Sequence, residues 1–89
     1  PRTLLEAMSC GIPSVVSDVG DVTYIAKDGY NSLIVNSCVD VNSFRMKISY
    51  LLDNKDKYRQ IATNSEVSIR DHYQSNDPGF VWSKILDYI

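Results

Sequence analysis

The sequence predicts an α/β fold: two short parallel strands with several helices, the C-terminal half of a doubly wound domain. Three observations carry this. The runs "SVVS" (14–17) and "SLIV" (32–35) are short and apolar, the pattern of strands buried on both faces of a parallel sheet. A helix-like stretch separates them, and two parallel strands joined by a helical crossover form a right-handed βαβ unit in nearly all cases. Everything after Asn36 reads as helix. Two strands are too few for a stable open sheet, so the remaining strands are expected to come from outside these residues.

The elements follow in order. A first helix is expected from about Thr3 to Cys10, because Gly11 suits the position just past a helix end and Pro13 lies beyond it. The first strand ends at "DVGD" (18–21). "VTYIAKDG" (22–29) allows about two helical turns stopped by Gly29, and "NSLIVN" (31–36) is the second strand. Asp40 can cap a helix to about Asp53 with the apolar stripe Val41, Phe44, Ile48, Leu51 and Leu52. Asn54 can cap another to about Tyr73, with Tyr58, Ile61, Ala62, Ser65, Ile69 and Tyr73 on one face. "QSNDPG" (74–79) is read as a break, and Pro78 opens a last helix carrying Val81, Trp82, Ile85, Leu86 and Ile89.

Composition excludes several classes. Eighty-nine residues bound the chain to one small domain or part of one. The net charge of −2 comes with no Lys/Arg stripe, which argues against nucleic acid or an anionic membrane surface as partner. No apolar run reaches transmembrane length, and nothing resembles a signal peptide. Cys10 and Cys38 are too few for a disulfide framework and read as small buried thiols in a reducing compartment. His72 has no Cys or His neighbours at metal-ligand spacing and reads as an exposed helix residue; no metal is expected. Lys57 and Arg59 read as part of a solvated face.

Glu6 has two readings. Thr3-x-x-Glu6 matches a capping box, in which Thr3 caps a helical amide and Glu6 reaches back to the start of the helix. Alternatively, a carboxylate one turn into a helix accepts hydrogen bonds from a ribose diol, while the helix N-terminus receives a phosphate. In open α/β sheets the crevice at the carboxyl ends of the strands holds the ligand. The start of this helix and "DVGD" are both expected there. Spacing alone favours the cap.

A family resemblance shifts that balance. "LLEAMSCGIPSVVSDVGDVTYIAKDGYNSLIV" (4–35) resembles the nucleotide-sugar-binding segment of GT-B glycosyltransferases, specifically the retaining family 4. Members there read Leu-Glu-Ala-Met, then Gly-x-Pro-Val-Val, then Asp-Val-Gly-Gly, then Asp-Gly-x-x-Gly. The resemblance is strong over residues 1–36, the helix and βαβ segment, and weaker over the C-terminal helices of 37–89. It implies the C-terminal, Rossmann-like donor domain of an enzyme that moves a sugar, with retention, from a nucleotide diphosphate to a hydroxyl acceptor. The resemblance implies a sugar, lipid-linked or polysaccharide acceptor.

In that family Glu6 corresponds to a glutamate that bonds the donor ribose. The backbone amides of Arg2 and Thr3 correspond to groups that meet the diphosphate, where the Thr3 hydroxyl can join them. Asp18 and Gly20 would border the sugar, although a plain strand-end turn also accounts for them. A second glutamate eight residues before Glu6, and an Arg/Lys pair that neutralises the diphosphate, would lie before Pro1. The start on Pro1 is therefore expected to be a cut through the site, leaving the isolated chain inactive with weak nucleotide binding. No cofactor is implied beyond the donor itself. A cytoplasmic setting is implied, with peripheral contact at the inner membrane in the whole enzyme. The open sheet edge and the Trp82 helix lead us to expect self-association.

Three departures from the pattern stand out. Pro1 lacks an amide proton, Asp21 replaces a glycine and is expected to point to solvent, and Ser32 also stands at a glycine position. The rival readings are a non-catalytic α/β interaction or regulatory domain, and a fragment of a nucleotide-sugar epimerase.

Overall fold

The computed structural model describes residues 2–36 and 40–76, with side chains as far as Tyr73. The element order is α1 (Arg2–Ser9), β1 (Val15–Ser17), α2 (Val22–Ile25), β2 (Leu33–Val35), α3 (Val41–Asp53) and α4 (Lys55–Asn76). β1 and β2 pair in parallel, with Val15 opposite Leu33, Val16 opposite Ile34 and Ser17 opposite Val35. This is the α/β arrangement that the sequence predicts.

Alternation along the strands divides the core in two. Val16 and Ile34 pack on a cluster of Leu4, Met8, Val22, Ile25, Ala26 and Ile69. Val15 and Leu33 belong to the opposite cluster, with Leu51 and Ile61. Successive strand side chains point to opposite faces, so two strands suffice to give helices on both sides. Helix α4 serves both clusters. Its residues Ile61, Ser65 and Ile69 recur every four positions and are all 0% exposed. Ser65 is buried without loss because its hydroxyl donates to the Ala62 carbonyl at 2.8 Å.

The stop after α1 is a Schellman motif. Gly11 has φ +71°, its amide donates to Met8 O at 3.0 Å, and the Ile12 amide donates to Ala7 O at 2.9 Å. Glu66 of α4 lies directly over Gly11, where a Cβ would collide with its carboxylate. Asp40 caps α3 as expected, its Oδ1 accepting from the Ser43 amide at 3.0 Å and its Oδ2 from the Ser43 hydroxyl at 2.6 Å.

Several expectations are corrected. Thr3 is the second residue of α1 rather than the residue before it, so it does not occupy the N-cap position that a capping box requires. α2 is four residues long, not two turns. β1 is half-buried along its length, not buried on both faces. Of the α3 stripe only Leu51 is buried; Val41 is 69% and Leu52 is 68% exposed. A sheet of two short strands offers too little apolar surface to cover that whole face.

Asn54 stands between α3 and α4 and serves both: its carbonyl accepts the first bond of α4, from the Tyr58 amide at 2.9 Å, while its Nδ2 turns back to α3 and donates to Tyr50 O at 2.7 Å. The chain does not break at "QSN", since α4 runs to Asn76. Cys10 is an exposed free thiol, not a buried one, because it sits in the turn that ends α1. His72 is half-buried, its ring edge-on to Tyr24 and Tyr73 with centroids at 5.5 and 4.8 Å. Cys38 and the expected helix of Pro78–Ile89 with Trp82 lie outside the described residues.

Candidate functional site

The cleft beside β1 holds the clearest candidate site. α1 leads through the short connection of residues 10–14 into β1, so the two elements run in opposite directions and the N-terminus of α1 returns to the carboxyl end of the strand. The cleft there has a volume of about 550 Å³ and is lined by Arg2, Thr3, Leu4 and Ala7 of α1, by residues 14–17, and by Val19, Val22 and Phe44. First-turn amides of a helix, Thr3 among them, have no carbonyl one turn earlier to receive them. They bring the positive end of the helix dipole to the cleft.

The strand shows why the cleft lies on this side. Leu33 N donates to Ser14 O, and Asp18 N donates to Val35 O, each at 2.9 Å. In a parallel ladder the backbone groups of alternate residues face alternate edges. The rungs at Ser14, Val16 and Asp18 face β2, so Val15 and Ser17 present their backbone to the other edge, along the cleft.

The site residues read from the sequence are placed unevenly. Arg2 and Thr3 are exposed and line the cleft. Glu6 is half-buried and lies four residues after Arg2 and three after Thr3, which puts the three on one side of α1. Glu6 itself is outside the lining. Asp18 and Gly20 are exposed on either side of Val19, and it is Val19 that reaches the cleft. Gly20 has φ +55°, a conformation that suits glycine. Asp21 is exposed, as expected from its charge, and precedes α2 without a side-chain cap bond.

Sequence reasoning missed a second cluster of polar side chains. Asn31 is 1% exposed and uses its amide fully. Its Nδ2 donates to Ile25 O at 3.0 Å and to Ser68 Oγ at 2.9 Å. Its Oδ1 accepts from Lys27 N at 2.7 Å and Ser32 Oγ at 3.2 Å. Ser32, at the departing glycine position, thus puts its hydroxyl to use without a positive φ. Lys57 is no solvated surface lysine: it is half-buried and donates to Gly29 O at 2.6 Å. Arg59 does stand in solvent, 3.9 Å from Asp56. The available signal was the 57, 64, 68 spacing, which places Lys57, Asn64 and Ser68 along one stripe of α4.

An open parallel α/β arrangement whose crevice meets a helix N-terminus is the class of fold that holds phosphate-bearing ligands. The family model for glycosyl transferases group 1 matches residues 1–67, three quarters of the chain. The chain belongs to that family. No curated protein and no solved structure matches it. No helix among the described residues is long and apolar enough to cross a membrane.

Proposed function

We propose that these residues form part of the donor site of a retaining GT-B glycosyltransferase of family 4, which moves a sugar from a nucleotide diphosphate to a hydroxyl acceptor. The amides of Arg2 and Thr3 hold the diphosphate, helped by the dipole of α1. The Glu6 carboxylate accepts from the ribose hydroxyls. Asp18 and Gly20 border the sugar. Charge leaves with the diphosphate, so fixed donors aimed at that group stabilise the transition state more than the ground state. The acceptor in this reading is a glycan or a lipid-linked sugar, as in polysaccharide synthesis. An exposed free Cys10 suits a reducing, cytoplasmic setting.

One observation carries the proposal: within the segment that matches the family, the structure brings Arg2 and Thr3 to the lip of a cleft at the carboxyl end of a parallel strand. Calorimetric titration with a panel of nucleoside diphosphates and their sugars tests it. Glu6→Ala is expected to weaken the preferred ligand about tenfold or more, since hydrogen bonds to a charged group are each worth roughly 1.5–3 kcal/mol. Unchanged affinity in that variant would remove Glu6 from the site.

A further inference from the structure

We infer that α4 is a positioning element for the cleft, acting through a polar stripe that fixes the turn before β2 and, through that turn, α2. The consequence for donor binding rests on the glycosyltransferase reading above. Three side chains of α4 hold three consecutive residues of the turn. Lys57 Nζ donates to Gly29 O at 2.6 Å, Asn64 Nδ2 donates to Tyr30 O at 3.0 Å, and Ser68 Oγ accepts from Asn31 Nδ2 at 2.9 Å. Their spacing of seven and then four keeps all three on one side of the helix.

Asn31 passes this constraint on. Besides Ser68 it bonds Ile25 O and Lys27 N, so it closes the carboxyl end of α2 in place of a further helical turn. α2 has only four residues, and a helix so short has too few internal bonds to hold itself. Its position is therefore set from outside, by the burial of Val22 and Ile25 against Leu4, Met8 and Ile69 and by the Asn31 bridge. Val22 also lines the cleft with Val19. Ser68 and Asn64 touch nothing in the cleft, yet they fix the piece of chain that forms one of its walls.

The test pairs amide hydrogen exchange with calorimetric titration of nucleotide sugar in Ser68→Ala and Asn64→Ala. Ser68→Thr, which keeps the hydroxyl, serves as the rescue. Ile61→Val, buried on the opposite side of the sheet, is the stability control. Loss of one neutral hydrogen bond is expected to speed exchange across residues 22–26 on the order of three- to tenfold. The donor Kd should rise by a similar factor. Ser68→Thr should restore both. Exchange at 22–26 that stays at the wild-type rate, or that rises equally in Ile61→Val, overturns the proposal. If the wild-type protein takes no nucleotide sugar, the donor-site reading falls, and the exchange data alone decide whether α4 fixes α2.

Discussion

The lip of the cleft and the turn at 27–32 are built in opposite ways. At the lip, Arg2 and Thr3 are exposed, and so are Asp18, Gly20 and Asp21 in the turn around the lining residue Val19. In the turn, Asn31 and Ser32 are buried, and α4 grips the backbone at Gly29 and Tyr30. The lip is open chemistry and the turn is scaffold. Groups that meet a ligand gain from exposure, because they can exchange water for it at little cost. Groups that hold the wall gain from full satisfaction, because a buried polar atom left without a partner is costly. Mutations in the two regions should therefore be read out differently: in stability at the turn and in affinity at the lip.

The largest expected effect is at Asn31. Asn31→Ala leaves the Lys27 amide, the Ile25 carbonyl and the Ser68 hydroxyl without their partner. Each such group costs about 1–3 kcal/mol, so a loss of at least about 3 kcal/mol is expected in denaturant unfolding. A loss well under about 1 kcal/mol, the scale of one ordinary hydrogen bond, would show that water takes over these bonds and that the turn is no lock.

A pair of glycines sharpens the contrast at smaller magnitude. Gly11 and Gly20 both have positive φ, +71° and +55°. Alanine at either pays about 1–2 kcal/mol for the left-handed backbone. At Gly11 the new Cβ must also displace Glu66, whereas at Gly20 nothing lies within reach. Thermal unfolding should therefore penalise Gly11→Ala more than Gly20→Ala. Equal penalties would mean that Glu66 swings aside freely and that α1 and α4 are not held together at this point.

These two regions also differ in how far they could be read from the sequence. What was legible depends on neighbours close along the chain. Gly11 after a helix and before Pro13, Asp40 before a helical stripe, and two β-branched runs around a short connection all act within a few residues, and all appear as expected. The length of α2 was misjudged because its end is set by Asn31, itself held by Ser68, a residue 37 positions away. Spacing found the α3 stripe but not its exposure, since burial depends on what lies opposite. Within the site, Arg2 and Thr3 could be placed at the cleft because a helix start and a strand end are local features. Val19 lies in the "DVGD" turn expected at the crevice, whereas the contributions of Val22 and Phe44 come from α2 and α3 and left no local mark.

The smallest effect tests the Asp40 cap, which both sequence and structure assign, away from either region. Both carboxylate oxygens of Asp40 accept from Ser43, chiefly from its hydroxyl and then from its amide, and this holds the Asp40 pKa below the ordinary aspartate value. A carboxyl whose pKa is lowered by folding binds its proton less readily in the folded state than in the unfolded chain. Its contribution to stability is thus present above the unfolded pKa, about 3.9, and disappears as the pH falls through the lower folded value. Asp40 is fully exposed, so solvent and salt screen the effect and only a shallow pH dependence of α3 is expected. A carboxyl-detected NMR titration should find the Asp40 midpoint below the ordinary aspartate value. In Asp40→Asn the side-chain oxygen still accepts from the Ser43 amide, so α3 should persist while the acid-dependent change at Ser43 vanishes. A midpoint at or above the ordinary aspartate value would show that the bonds to Ser43 do not form in solution.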